Sequence, residues 1–209
     1  MIAKELKTGD ALYQVSPSEW SLAGLSGRLV EITGAGASAV LTAALSLVRL
    51  AQAAGETTAW ITPEESLFFP PDAAEAGVDL DALVIVRAPE PSAMKAADKL
   101  ARSGAFGLIA VDLPPQRSRP FMGRPPETQG RDGWLSRLLG LARRHDIAIL
   151  FLTQRESPPL GSLVSLRGES QRVRVAPDQY QVQVRIVKDK RRSPGWRHQE
   201  QYRGPAGLC

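Results

Sequence analysis

The sequence predicts an α/β fold: a central, mostly parallel sheet flanked by helices, followed by a C-terminal antiparallel β extension. Short apolar runs typical of buried strands alternate with stretches whose apolar residues recur at helical spacing. This alternation favours a parallel sheet covered on both faces, because each crossover helix packs on a face of the sheet. Near the C-terminus, two runs with alternating polarity indicate an antiparallel hairpin.

The individual elements follow from local patterns. Five runs are predicted as the parallel strands: 28–33, 57–62, 83–87, 106–112 and 147–152. Helices are predicted over 38–53, over 93–103 with Ser92 as N-cap and Gly104 as C-terminal stop, and over 134–145, with a loop or short helix over 68–71. The hairpin strands are predicted over 170–175 and 180–187, with Pro177 and Asp178 in the turn.

Two irregular segments interrupt this pattern. Residues 113–133 are rich in proline, glycine and arginine and are predicted to form a long loop, and residues 157–161 are a shorter one. Long loops inside compact domains are usually functional or disordered. No internal repeat or linker divides the chain, so we expect an N-terminal extension over 1–26 and one core domain over 27–209.

Composition excludes several classes of protein. The chain has 209 residues, of which 43% are hydrophobic and 23% charged, as in soluble globular proteins. We expect no membrane-spanning helix and no secretion signal, which favours the cytoplasm. Cys209 is the one cysteine, and His145 and His198 are far apart in sequence, so neither disulfides nor a metal site is expected.

The positive charge is concentrated near the C-terminus. The net charge is +4, but the residues from Gly161 onward carry ten Lys and Arg against four Asp and Glu, which gives +6 there and −2 before it. This asymmetry favours an acidic partner such as nucleic acid. An arginine-rich solvated surface without a partner is the alternative.

The first predicted strand, glycine-rich turn and helix have the arrangement of a phosphate-binding loop. The full motif, G-x-x-x-x-G-K-[ST], provides backbone N–H groups, a lysine for the phosphates and a hydroxyl for Mg²⁺. Here the window from Gly34 through Gly36 continues with Ala39, Val40 and Leu41 at the positions of the second glycine, the lysine and the hydroxyl. We therefore expect no ATP binding, no cofactor and no catalysis.

Further motifs resemble the core domain of the RecA recombinases, in order and spacing, over about four-fifths of the chain. They are GRLVEITG (27–34), AWITPEE (59–65), AGVDLDAL (76–83), LARSGA (100–105) with LIAVD (108–112), FLTQ (151–154) and VRIVKDK (184–190). The resemblance implies a RecA-like fold. It places Glu64 at the glutamate that activates water, Asp112 at the Mg²⁺-side aspartate and Gln154 at the glutamine that couples nucleotide state to DNA binding.

A short RecA-like core with a degenerate nucleotide site resembles the ImuA family of damage-induced mutagenesis. That resemblance implies a role in the SOS response and translesion synthesis, through the ImuB-type polymerase homologue, RecA, or both, including inhibition of RecA. Two alternatives remain open: a SulA-like inhibitor that binds the tubulin-like division protein, and a residual ATPase in DNA repair. The sequence leaves the oligomeric state open.

The resemblance also places two loops, 113–133 and 155–167, at the DNA-facing side, and the basic C-terminal strand at an edge that faces a neighbouring protomer. The candidate DNA-binding or partner-binding residues are Arg117, Arg119, Arg124, Arg131, Arg155, Arg167, Arg172, Arg174, Lys188, Lys190, Arg191 and Arg192. The first loop has few aromatic residues for base stacking, so DNA binding is expected to be weak. Trp196 is expected in the core, and Phe68 and Phe69 are either core or a docking spot.

Overall fold

A computed structural model describes residues 20–34, 37–64, 68–113, 127–154, 157, 159–177 and 179–203. Within the helices, the side chains of 37, 38, 90, 91 and 127–131 fall outside this description. The predicted extension, 1–26, and the C-terminal residues from 204 onward therefore lie largely outside the described residues, as do several of the candidate arginines.

Eight strands form a single sheet in the order β3-β2-β4-β5-β1-β6-β7-β8. The strands are β1 Arg28–Gly34, β2 Thr58–Thr62, β3 Leu83–Arg87, β4 Leu108–Asp112, β5 Ala148–Gln154, β6 Leu166–Ala176, β7 Gln179–Asp189 and β8 Arg197–Arg203. The first six are mutually parallel, whereas β7 and β8 are antiparallel to their neighbours. The predicted fold class is confirmed.

Helices cover both faces of the parallel part. They are α1 Leu22–Leu25, α2 Ala37–Ala53, α3 Pro70–Glu75, α4 Glu90–Ser103 and α5 Glu127–His145. On one face, α2 packs over a cluster that includes Val30, Trp60 and Leu150. On the other face, α4 and α5 pack over Ile109, Ile149 and their neighbours. In the described part of the chain, no helix is long and apolar enough to span a membrane.

Two helix starts differ from the prediction. Ser92 is not an N-cap: α4 begins at Glu90, with Pro89 as the capping residue and a proline in the first turn, where its fixed φ and missing N–H are tolerated. The loop predicted over 113–133 is wrong from Glu127 onward, because α5 begins there. Glycine lowers helix propensity by only about 1 kcal/mol, and the buried Leu135 and Leu138 hold this helix on the sheet. Gly104 ends α4 in a left-handed conformation, φ 66°, as predicted.

The C-terminal extension is larger than predicted. β6 begins at Leu166. Its first residues pair in parallel with β1 on one side, and the strand forms the predicted hairpin with β7 on the other. A third strand, β8, follows, which the polar sequence RHQEQYR did not reveal. Trp196 is buried, as expected, and lies 6.4 Å from Trp20 in an edge-to-face contact. Phe68 is buried against Trp60, whereas Phe69 is exposed.

A buried ion pair joins the first strand to this extension. The guanidinium of Arg28 lies 2.5 Å from the carboxylate of Asp189, and both side chains are almost inaccessible. Arg28 also donates to the hydroxyl and the carbonyl oxygen of Ser165, and Trp196 Nε1 donates to Asp189. The pair therefore fixes β7 and the segment before β8 to the parallel sheet.

Candidate functional site

The residues that resemble a nucleotide site meet at the carboxyl ends of β1, β4 and β5. Register places Gly34 beside Gln154 and Asp112 beside Leu152. In open parallel sheets, ligands usually bind at this edge. Gly34, Asp112 and Gln154 are thus brought together as predicted, while Gly36 lies outside the described residues.

The position of the phosphate-binding lysine is occupied by a buried methyl group. A Cβ on Gly34 would lie 2.8 Å from Cγ2 of Val40 and 2.8 Å from the carbonyl oxygen of Ser170. Val40 is 6% exposed and belongs to the core cluster under α2, against which Leu41 also packs. The Val40 side chain therefore points into the protein and not towards a ligand.

The start of α2 is also bonded to the neighbouring strand. Ala39 is buried, and its carbonyl oxygen accepts a hydrogen bond of 2.8 Å from the hydroxyl of Ser170 on β6. Ser170 itself pairs with Gly34 across the sheet. The side chains at Ala39, Val40 and Leu41 thus supply apolar packing, and none of them carries a group that contacts phosphate.

The acidic residues of the site are held by the protein itself. Asp112 is half-buried, and its carboxylate accepts a hydrogen bond of 3.2 Å from Thr62 at the end of β2. Glu64 is exposed, and its carbonyl oxygen accepts a hydrogen bond from Arg87. Among the described residues, no group of three or more His, Cys, Asp or Glu could hold a metal ion.

The segment after β5 is packed against the sheet. Glu31 on β1 is 1% exposed and accepts hydrogen bonds from the Thr153 hydroxyl at 3.1 Å and the Leu160 N–H at 3.5 Å. Leu160 and Val164 are buried in the cluster under α5. The described residues of the loop expected over 155–167 are therefore held against the sheet, because Leu160 and Val164 complete the core.

Arg167 and Lys188 lie beside this segment and make contacts within the fold. Arg167 lies on β6, not in a loop, and forms an ion pair of 3.5 Å with Glu31 without hydrogen-bond geometry. Lys188 Nζ donates to the carbonyl oxygens of Gly161 and Ser162. Burial, together with the positive charges of Lys190 and Arg167, lowers the pKa of Lys188, although Glu31 opposes the shift. Both cations thus have partners inside the fold.

The other candidate cations are scattered. Arg172 stacks over Tyr180 at 4.7 Å, and Arg174 caps the hairpin turn through the carbonyl oxygens of Ala176 and Pro177. Arg191 donates to the carbonyl oxygen of Ser26, and Lys190 and Arg192 are exposed. β8 pairs along the outer side of β7 from Gln179 to Arg185, so that part of the strand expected at a sheet edge is covered, whereas its basic end from Lys188 onward is not paired with β8. Arg117, Arg119, Arg124 and Arg155, and the side chain of Arg131, lie outside the described residues.

Sequence reasoning missed a polar cluster between α2 and β8. The carboxylate of Glu200 accepts hydrogen bonds from Ser46 at 2.6 Å, His198 at 2.7 Å and Tyr202. These bonds outweigh burial and lower the pKa of Glu200 to about 2, while burial and Glu200 raise the pKa of Tyr202. The signal in the sequence was the alternation of His198, Glu200 and Tyr202 with glutamine and arginine, which is the period of a strand.

Comparisons with known proteins agree with this arrangement. The family model of the RecA N-terminal domain matches residues 20–115. Protein RecA of Nocardia farcinica is 46% identical over 88 residues, which cover 41% of this chain and 25% of that protein. Protein RecA of Haemophilus ducreyi is 42% identical over 87 residues, which cover 41% and 23%. The chain thus matches about a quarter of the length of these relatives.

A solved structure extends the likeness to most of the chain. The crystal structure of the RadB recombinase superimposes with a TM-score of 0.65 and 18% sequence identity, and covers 86% of this chain and 91% of that one. This comparison shows the fold. The match over 20–115 shows similarity to the RecA N-terminal domain, and the superposition shows a RecA/RadB-like fold.

Proposed function

We propose that this RecA-related chain is a non-catalytic accessory protein of damage-induced (SOS) mutagenesis and translesion DNA synthesis. It acts by binding other proteins, namely an ImuB-type polymerase homologue, RecA, or both, and it neither binds nor hydrolyses ATP. Binding to RecA limits RecA activity. Direct contact with DNA is a weaker, secondary property.

The observation that carries the proposal is the apolar filling of the nucleotide site. Val40, where a phosphate-binding loop has lysine, packs over Gly34, and Ala39 and Leu41 add no hydroxyl or cation. Charge-assisted contacts to phosphate contribute about 1.5–3 kcal/mol each, so losing the lysine alone costs an order of magnitude or more in affinity. The sheet around this site keeps the RecA/RadB-like arrangement, which supports a scaffold that works through its surfaces.

The contacts of Asp112 support the same interpretation. Its carboxylate is bonded to Thr62 at the end of the neighbouring strand, so it has a structural role that needs no magnesium ion. The segment after β5 is likewise held by hydrogen bonds to Glu31 and Lys188. These contacts lie within the protein and need no bound nucleotide. A binding surface built on these contacts is available in the absence of ATP.

The experiment that tests the function is genetic complementation combined with affinity capture. In a strain that lacks the gene, we expect damage-induced mutation to fall while division stays normal, and the tagged chain from damaged cells to retain the polymerase homologue or RecA. Asp112→Asn keeps a hydrogen-bond acceptor for Thr62 and should complement fully. Failure of Asp112→Asn with normal protein levels would support a residual ATPase instead.

The SulA-like alternative predicts a different outcome of the same experiment. Overproduction of the chain would then give filamentous cells, and the captured partner would be the tubulin-like division protein. Either result, with unchanged damage-induced mutation in the deletion strain, contradicts the proposed role.

A further inference from the structure

The strand β8, Arg197–Arg203, forms one edge of the sheet. It pairs with β7, and no other described strand lies on its outer side. The side chains alternate between exposed and half-buried along its length, as in a regular strand that is solvated on one face. In the described sequence from Arg197 to Arg203, no proline, lysine or bulge interrupts this edge, although such features commonly protect edge strands from pairing.

The backbone groups that face outward can be assigned from the adjoining turn. Ile186 on β7 donates to Trp196 and accepts from Gly195, so the N–H and C=O of Ile186 point towards β8. By the two-residue period of a strand, the hydrogen-bonded pairs are then Val184 with His198 and Val182 with Glu200. Arg197, Gln199, Gln201 and Arg203 therefore direct their N–H and C=O groups away from the sheet.

The edge is self-complementary in one antiparallel register. When Gln199 lies opposite its own copy, Arg197 lies opposite Gln201 of the other copy, and His198 opposite Glu200 of the other copy. The outward-facing groups of Arg197, Gln199 and Gln201 are then paired, and no like charges oppose each other. A register centred on Glu200 would place carboxylate opposite carboxylate and Arg197 opposite Arg203, which is unfavourable.

An amide surface on one face of the extension would be extended by this pairing. The register aligns Gln171, Gln183 and Gln199 in one row across three strands, and Gln181 with Gln201 in the next. The amides of this surface are already linked: Gln171 donates to Gln183, Gln183 to Gln181 and Gln181 to Gln199. Because a side-chain amide both donates and accepts, Gln199 at the end of this row can form hydrogen bonds with Gln199 of a second copy.

We propose that two copies of this chain associate through β8, antiparallel and with the two-fold axis between the two Gln199 residues. The two eight-stranded sheets then join into one continuous sheet, and the dimer is closed because each copy uses its β8 edge once. The inference goes beyond the proposed function and does not depend on it.

Disulfide trapping of the full-length chain tests the register. Cys209 is replaced by serine, so that an introduced cysteine is the one thiol present. In a hydrogen-bonded antiparallel pair the Cα atoms lie about 5.5 Å apart, which suits a disulfide, so Gln199→Cys should form a covalent dimer under mild oxidation. Gln201→Cys is the matched control, because its two copies would lie about 14 Å apart and should stay reduced. Crosslinking of Gln201→Cys but not of Gln199→Cys would overturn the proposal.

Sedimentation equilibrium tests the association without a crosslink. We expect a reversible species of twice the 22.6 kDa chain mass. Gln201→Lys places a second cation opposite Arg197 at both ends of the pairing and should weaken dimerisation at least about fivefold. Gln171→Lys makes the same change on the same exposed face but away from the edge, and should leave dimerisation within about twofold.

Two outcomes would overturn the proposal. One is a chain that stays monomeric over the accessible concentration range. The other is a monomer in which the backbone amides of Gln199 and Gln201 are protected from hydrogen exchange and lose this protection when residues 1–19 are deleted. That result would mean that the chain's own N-terminal segment covers the edge.

Discussion

Replacing Asp189 by asparagine should destabilise the protein strongly, although the substitution removes only one charge. The carboxylate of Asp189 is 1% exposed and lies 2.5 Å from the guanidinium of Arg28, which is itself 4% exposed. Asparagine keeps the shape and an acceptor for Trp196 Nε1, but it leaves the buried cation without its counter-charge.

The magnitude follows from the cost of an uncompensated buried charge. Breaking a buried ion pair by removing one partner costs about 3–5 kcal/mol. Because Arg28 keeps its hydrogen bonds to Ser165, we expect the lower end of that range, about 3 kcal/mol. For a chain of this length the loss corresponds to a fall in Tm of about 6–12 °C.

Urea unfolding followed by tryptophan fluorescence measures this loss, since Trp20 and Trp196 are both buried close to the pair. Glu169→Gln is the control, because the Glu169 carboxylate lies at a similar distance, 2.6 Å, from the guanidinium of Arg185, but at an exposed site. Removing this charge should lower the free energy of unfolding by less than about 1 kcal/mol. The double change Arg28→Met with Asp189→Asn should recover part of the loss. The reasoning fails if Asp189→Asn costs no more than Glu169→Gln.

Three further predictions concern stability. Glu200, whose pKa falls from 4.5 to about 2 on folding, contributes stability that is complete above about pH 4.5 and is lost as the pH falls towards 2; Glu200→Gln should flatten acid unfolding curves in this window. Gly168→Ala should cost about 1–3 kcal/mol in urea unfolding, because its Cβ would lie 2.5 Å from a methyl group of Val184. Phe68→Ala should cost about 3–5 kcal/mol, whereas Phe69→Ala, at an exposed position, should stay within about 0.5 kcal/mol; equal losses would contradict the assigned burial.

The parallel part of the fold could be predicted from the sequence because its strands are continuous apolar runs. Most of these strands are buried, although the edge strand β3 exposes Val84 and Ile85. Leu83–Arg87 was predicted with its observed bounds, and the other four strands that were predicted as parallel differ by one or two residues at their ends. Continuous apolar runs closed by glycine or a charged residue are a strong local signal. The helix start at Glu127 was missed because the first turns contain two glycines and no apolar residue at helical spacing. The helix is stabilised further along, where Leu135 and Leu138 pack on the sheet.

The C-terminal extension was predicted less completely. β8 has no aliphatic residue, and its position depends on contacts far away in sequence, such as Ser46 with Glu200 and Trp20 stacked on His198. The buried pair of Arg28 and Asp189 was missed for the same reason, since 161 residues separate its partners. Charge in the sequence had suggested a basic surface, but Arg167 and Lys188 are bound within the fold.

At the candidate site, the sequence was sufficient to identify the absent lysine and hydroxyl of the phosphate-binding motif, but not the contacts made by the residues that stand in their place. The absence of lysine at Val40 can be read directly, whereas the packing of Val40 over Gly34 and the bond from Ser170 to Ala39 depend on β6, which pairs with β1. This packing is the physical basis of the proposal that the chain binds no nucleotide.

The most direct test of the account is calorimetric titration of the full-length chain with ATP and Mg²⁺, with and without DNA, followed by a phosphate-release assay. We predict no saturable heat of binding and no hydrolysis above the background of the Asp112→Ala variant. Saturable, Mg²⁺-dependent binding with turnover that Asp112→Ala abolishes would contradict the claim that this RecA-like fold acts by binding alone.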